Sequence, residues 1–126
     1  MHWRSDAPDG IRGGTDGHAI WMPTDLLQVE RRCVLAHELE HIARGHETCQ
    51  DARTEREVRH HAARFLLPDP VMIGDALAWA AGDIEEAADA LWVTPDTLAA
   101  RLDYGLLSCS ELEVMRERVA AVERGA

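Results

Sequence analysis

One short segment, His37-Glu38-Leu39-Glu40-His41, places two imidazoles and a carboxylate at a spacing suited to metal chemistry. In a helix, residues four apart lie on one face about one turn apart, so both imidazoles can bind one metal ion. Glu38 then lies beside the water that the metal would polarise, where it can act as a base. The pattern is typical of zinc-dependent hydrolases. It predicts Glu38 as the catalytic residue and His37 and His41 as zinc ligands.

A catalytic zinc usually takes three protein ligands and keeps one position for water. The imidazoles and carboxylates that follow the motif supply the candidates for the third ligand: His46, Glu47, Glu55, Glu57, His60 and His61. Helical spacing favours Glu55, because it continues an apolar stripe that contains Val58 and Ala62. A carboxylate on a buried stripe is costly unless a partner such as a metal binds it. Glu57 lies elsewhere around this helix and could instead form a capping box with Thr54, but it and the histidines stay open as alternatives.

Hydrolysis of a carbonyl compound also needs a donor that stabilises the negative charge on the carbonyl oxygen. Tyr104, His60 and His61 are the candidates for this role, or for a role in supporting the metal ligands. Each has a simpler interpretation. Tyr104 could be a packing residue, and neighbouring histidines on a helix point in different directions and are usually exposed.

Helices are the elements expected to position these residues. The chain has 126 residues, enough for one domain with one core, and few β-branched runs interrupt its alanines and leucines. Capping and breaking residues predict helices over residues 24–44, 51–67, 69–81, 83–92, 94–105 and 110–123. Thr24 is expected to cap the first helix, and Ser110 with Glu113 to form a capping box on the last. The tryptophans are expected in the core, with Trp3 as the exception.

Before these helices, residues 18–22 predict a short strand, which residues near Ile11 could pair with in a hairpin. We therefore predict a mainly α (α+β) fold. It consists of a zincin-like helix pair bearing the H-E-x-x-H motif and a Glu ligand, a small N-terminal β-hairpin or strand, and a C-terminal helical subdomain. Residues 1–126 form one domain, with the zinc-binding core in 1–68 and the helical C-terminal part in 69–126.

The charge balance argues against a general nucleic-acid-binding protein. The formal net charge is −10, with 23 acidic residues against 13 lysines and arginines, so the surface repels phosphate backbones. Residues 84–102 have helix-turn-helix spacing, but Arg101 is the only candidate there for reading bases. A structural helix pair is the better interpretation of this segment.

The cysteines and the apolar segments bear on the compartment. Cys33, Cys49 and Cys109 are widely spaced and form no C-x-x-C pair, which fits a reducing compartment. The first residues lack the apolar run of a secretion signal, and no segment approaches membrane-spanning length. These features predict a cytoplasmic protein that does not bind a membrane.

The segment from Glu55 to Pro68 resembles the second motif of the ImmA/IrrE metallopeptidase family. That motif, E-x-x-A-N-x-F-A-A-x-L-L-x-P, follows the H-E-x-x-H helix, and its first Glu is the third zinc ligand, which falls on Glu55 here. The resemblance covers roughly residues 18–107 and is most specific in 37–41 and 55–68. Arg59 replaces the usual Asn or Asp and His61 the usual aromatic residue, and the first of these changes predicts weaker metal binding.

The resemblance, closest to short phage-encoded members, implies an activity and a partner. It implies one Zn²⁺ per chain and an endopeptidase whose substrate is a DNA-binding repressor, expected to be of the helix-turn-helix type. That repressor would control phage, mobile-element or stress genes, and its cleavage would relieve repression. The alternative is a non-proteolytic zinc-containing interaction module that regulates a repressor by binding it.

Overall fold

A computed structural model describes residues 2–3, 14–15, 19–46 and 50–125 of the chain. Helices dominate these ranges, as the sequence predicts. They are α1 (Gln28–Ala43), α2 (Ala52–Leu66), α3 (Pro70–Trp79), α4 (Ile84–Leu91), α5 (Pro95–Arg101) and α6 (Cys109–Gly125).

A small sheet precedes the helices. Its strands are β1 (His2–Trp3), β2 (Gly14–Thr15) and β3 (Ile20–Met22), in the order β1-β3-β2. β2 and β3 are antiparallel and form the expected hairpin, whereas β1 runs parallel to β3. The strand predicted over residues 18–22 is thus confirmed at its C-terminal end. Ile11, the suggested centre of the partner strand, lies outside the described residues.

α1 covers this sheet through a small apolar cluster. Ile20, Met22 and Leu26 are buried there, and α1 packs Val34 and Ile42 against them. The expected start of α1 at Thr24 is wrong, because Thr24 and Asp25 form a turn and Leu26 after them is buried in this cluster. The helix begins at Gln28 instead.

The N-terminal end of α1 lacks a side-chain cap from Thr24. Leu27 is extended, with φ −65° and ψ 158°, and its N–H donates to the Glu30 carboxylate at 3.0 Å. This bond satisfies one of the amide donors that a helix leaves free at its start.

The remaining helices share a second apolar core built largely from small residues. α3 lies along α6, α2 packs on both α1 and α5, and α4 bridges α3 and α5. The largest fully buried apolar residues of this core are Ile73, Val93 and Leu98, with several alanines between them. The tryptophan prediction is wrong for Trp79 and Trp92, which are 70% and 55% exposed. Alanine-rich helices approach one another too closely to leave room for indole rings in this core.

Most of the predicted helix starts are confirmed by their caps. Asp51, Asp69, Asp83 and Thr94 each accept a hydrogen bond from a backbone N–H in the first turn of the following helix. The Ser110 capping box on α6 is wrong, since Ser108 Oγ accepts from the Glu111 N–H at 3.2 Å and takes that role.

The cysteines that the structure describes are Cys33, which is buried in α1, and Cys109, which is exposed, and both carry free thiols. Cys49 lies outside the described residues. Within the ranges given above, no helix combines the length and the apolar character needed to cross a membrane.

Gly74 lies where α3 meets α6 most closely, so we expect Gly74→Ala to destabilise the fold. A Cβ at this position would lie 2.7 Å from Arg118 Cβ and 3.1 Å from the Met115 backbone. Overpacking of this kind costs about 1–3 kcal/mol of unfolding free energy, which outweighs the better helix propensity of alanine. Urea denaturation measures the change. Gly125→Ala is the matched control, because nothing lies within 4 Å of its added Cβ. Equal stability of the two variants would contradict the prediction.

Candidate metal centre

Helices α1 and α2 bring three potential metal ligands together. His37 and His41 project from one face of α1, and Glu55 projects from the first turn of α2. The two imidazole Nε2 atoms are 3.2 Å apart. Glu55 Oε2 lies 3.4 Å from His37 Nε2, and its Oε1 lies 3.2 Å from His41 Nε2. The three side chains therefore converge on one point between the helices.

The spacing of these atoms fits a tetrahedral metal site. Zinc binds imidazole nitrogen and carboxylate oxygen at about 2.0–2.1 Å, so ligand atoms at tetrahedral corners lie roughly 3.3–3.4 Å apart. The separation of 3.2 Å between the two Nε2 atoms is close to this value, and each oxygen of Glu55 lies at a similar distance from one imidazole, Oε2 at 3.4 Å from His37 and Oε1 at 3.2 Å from His41. Two nitrogens and one oxygen are also a donor set that zinc uses, and they leave a fourth corner free. The described side chains therefore fit a metal ion.

The structure separates Glu55 from the other candidates for the third ligand. Val58 and Ala62 are buried, so Glu55 does continue the apolar stripe of α2. Glu57 points away from the cluster, toward Arg44 at 3.7 Å and Arg53 at 3.9 Å. The predicted Thr54–Glu57 capping box is wrong, because Asp51 caps α2.

The histidine candidates also lie outside the cluster. His46 contacts the far side of the His41 ring, with their Nδ1 atoms 2.9 Å apart. His60 is buried and its Nδ1 lies 2.9 Å from the Ala100 carbonyl oxygen, whereas His61 is exposed. Glu47 lies outside the described residues.

The environment of His37 favours its neutral form, which is the form that binds a metal. Burial lowers the pKa of His37, and the nearby charges of His41 and Arg59 lower it further against the opposing effect of Glu55. A neutral imidazole offers the lone pair that coordination requires.

Glu38 lies beside the cluster without joining it. Its side chain is buried, and burial raises the pKa of Glu38 to about 7, with a further contribution from the negative charge of Glu55. A bound cation would offset the charge of Glu55 and weaken that second effect. Glu38 is thus the one carboxylate of the motif held in a dry environment.

A cleft of about 770 Å³ opens next to these residues. His37 and Glu38 line it from α1, Arg59 and Ala62 line it from α2, and residues 93–97 before and within α5 close the third side. The cleft therefore gives an external molecule access to the metal cluster from the side of His37.

The three side chains proposed from the sequence to stabilise an oxyanion do not lie in this cleft. Tyr104 is 73% exposed in the turn after α5. His60 is engaged by the Ala100 carbonyl, and the His61 ring lies edge-on to it on the outer side of α2. None of these three is among the residues that line the cleft.

Arg59 is the functional candidate that the sequence interpretation missed. It lies in the cleft with His37 and Glu38, and it is close enough to His37 to affect its pKa. Within the described residues its guanidinium takes part in no ion pair. Helix geometry could have indicated this role, because Arg59 follows Glu55 by four residues and so lies on the same face of α2.

The helix pair α4–α5 does not present its one basic residue. Arg101 is fully buried, where its Nε donates to the Leu67 carbonyl at 2.7 Å. A buried guanidinium cannot read a base edge in a DNA groove.

Comparisons of the chain with protein-family models, with curated proteins and with solved structures find no match. Any function of the site must therefore be inferred from its own residues.

Proposed function

We propose that this protein is a zinc-dependent endopeptidase. The observation that supports this most is the convergence of His37, His41 and Glu55 on one point, beside a buried carboxylate and an open cleft. The helix pair α1–α2 is then a zincin-like metal centre with one zinc per chain. A structural zinc site is usually closed by four protein ligands, so a site with three ligands next to a cleft favours catalysis.

The reaction would divide between the metal and Glu38. Held by His37, His41 and Glu55, a zinc ion would lower the pKa of a water toward about 7 and polarise a peptide carbonyl. Glu38 takes the proton from that water and later donates it to the leaving amine. Glu38 lines the cleft together with His37, so its carboxylate is open to a substrate that enters there.

We assign to Arg59 the role of stabilising the negative charge that develops on the carbonyl oxygen. Its guanidinium carries five N–H donors and stays protonated, and it lines the cleft on the side of His37. A cationic donor at this point would stabilise the charge that develops in the transition state.

Arg59→Ala is expected to lower turnover by about 10²–10³-fold with little change in zinc content, as loss of one oxyanion donor does. Arg59→Lys, which keeps the charge, should recover part of the rate. The matched control is Arg53→Ala, since Arg53 lies on the same helix with a side chain 91% exposed. Cleavage of a defined peptide substrate by the three variants measures the effect. An Arg59→Ala rate equal to that of the control would remove Arg59 from the mechanism.

The substrate that we propose is a DNA-binding repressor of the helix-turn-helix type, located in the cytoplasm. This part of the proposal rests on the resemblance of residues 37–41 and 55–68 to the ImmA/IrrE family. The protein's acidic surface is in line with it, because a basic DNA-binding partner has the opposite charge.

The test combines metal content with cleavage. The purified protein, never exposed to chelator, should carry about one zinc per chain, and a value under roughly 0.2 would overturn the catalytic proposal. Glu55→Gln should lose the metal, whereas Glu57→Gln should retain it as the matched control. Incubation with helix-turn-helix repressors encoded in the same genome should then generate a new peptide terminus in the repressor. Chelation of the metal should abolish this cleavage, and added zinc should restore it.

The same experiment distinguishes the endopeptidase from the alternative, a non-proteolytic interaction module. A protein that holds zinc and binds a repressor without ever producing a new terminus would be an interaction module, and the endopeptidase proposal would be wrong.

A further inference from the structure

The turn that ends α1 places a third histidine, His46, against the proposed metal ligand His41. His46 Nδ1 lies 2.9 Å from His41 Nδ1, on the side of the His41 ring opposite its metal-facing Nε2. The His41 side chain is 8% exposed and His46 is partly buried, so this contact is partly shielded from water. His46 is therefore in direct contact with a proposed ligand while lying outside the ligand set.

The chemistry of coordination fixes the direction of this hydrogen bond. If His41 Nε2 binds the metal, the neutral ring carries its proton on Nδ1, which must then donate. His46 Nδ1 must accept, so the proton of His46 is on Nε2. With a metal bound, each histidine would thus occupy a single tautomer, and the metal would determine both.

The backbone conformation of Gly45 allows this contact. It has φ +76°, in the left-handed region that favours glycine, and its N–H donates to the Ile42 carbonyl at 3.0 Å. The His46 N–H donates to the His41 carbonyl at 2.9 Å. The backbone that stops the helix therefore also holds the His46 ring against His41.

His37 differs from His41 in this respect. Its side chain is 26% exposed, and in the part of the chain that the structure describes no partner contacts its Nδ1. One ligand is thus held by a hydrogen bond on its outer nitrogen and the other is not.

We propose that His46 is a positioning residue, which fixes the tautomer and ring orientation of His41 for metal binding. The inference rests on the metal centre of the proposed function. Outer partners of metal-bound histidines typically contribute about 10–100-fold to metal affinity. His46 supplies this contribution here, five residues after the second histidine of the motif.

Zinc affinity, measured by competition with a chromophoric chelator, tests the proposal on the full chain. His46→Leu keeps a side chain of moderate size but removes the hydrogen-bond acceptor. This variant should bind zinc about 10–100-fold more weakly than the wild type. His46→Asn offers a carbonyl oxygen near the position of Nδ1 and should restore most of the affinity. His61→Leu, an exposed histidine outside the site, is the matched control and should match the wild type.

A second readout follows the proton itself. In ¹⁵N-histidine-labelled, zinc-loaded protein, the His41 Nδ1 proton should exchange slowly with water, and faster in His46→Leu.

Unchanged zinc affinity and unchanged exchange in His46→Leu would overturn the proposal, as would a third imidazole nitrogen on zinc by X-ray absorption. If the wild-type chain binds no zinc, the metal centre and this inference both fail. If it binds zinc and His46→Leu binds it equally well, only the inference fails.

Discussion

Glu38→Gln is expected to retain its zinc and to lose peptide-bond cleavage by at least about 10²–10⁴-fold, the usual contribution of a general base. The Glu38 carboxylate lies in the cleft beside His37 but outside the ligand set of His37, His41 and Glu55. Its replacement therefore removes the proton acceptor without removing a metal ligand. The amide is nearly the same size as the carboxylate, so the buried position stays filled.

The control for this substitution lies within the same motif. Glu40 pairs with Arg44 at 2.8 Å and does not line the cleft, so Glu40→Gln should cleave at close to the wild-type rate. Zinc content by metal analysis and the initial rate of peptide cleavage are measured on the same preparations. Cleavage by Glu38→Gln at the rate of Glu40→Gln would show that another group takes the proton. Loss of zinc from Glu38→Gln would show that Glu38 helps to hold the metal.

The three clustered side chains could be predicted from the sequence because their positions depend mainly on local helix geometry. The spacing of His37 and His41 places them on one face whatever surrounds α1. Glu55 followed from the period of the α2 stripe, since Val58 and Ala62 had to face the core and Glu55 shares their side of the helix. The mainly helical fold and most of the helix caps followed from equally local signals.

Other features depend on how distant segments meet, which periodicity does not reveal. The start of α1 at Gln28 is set by the burial of Leu26 under the sheet. The exposure of Trp79 and Trp92 results from close packing between alanine-rich helices. The cleft and the place of Arg59 in it require α5 to close the third side. The sequence predicts His46 only as a possible ligand, because its contact with the outer nitrogen of His41 depends on the turn at Gly45.

The largest effect on stability is expected from Arg101→Met. The guanidinium of Arg101 is fully buried, where it donates to the Leu67 carbonyl and to the carboxylate of Glu111. These bonds tie α5 to the end of α2 and the start of α6. Loss of Arg101 leaves the Glu111 carboxylate with only the more distant Arg64, at 3.9 Å, as a cationic partner, and breaking a buried ion pair costs up to about 3–5 kcal/mol. A domain of this size has a total stability of only about 5–15 kcal/mol, so the variant should unfold at a much lower urea concentration.

The double variant Arg101→Met/Glu111→Leu tests the cause of that loss. If the charge left behind on Glu111 is the main cost, removing it as well should restore part of the stability, and the double variant should be more stable than the single one. Arg118→Met is the control, since its ion pair with Asp75 lies at the surface and both side chains are 45% exposed. Exposed pairs contribute little, so its urea midpoint should stay near that of the wild type. A midpoint for Arg101→Met as high as that of Arg118→Met would contradict the prediction. The contacts of Arg101 would then be incidental to the packing of α5 beside the cleft.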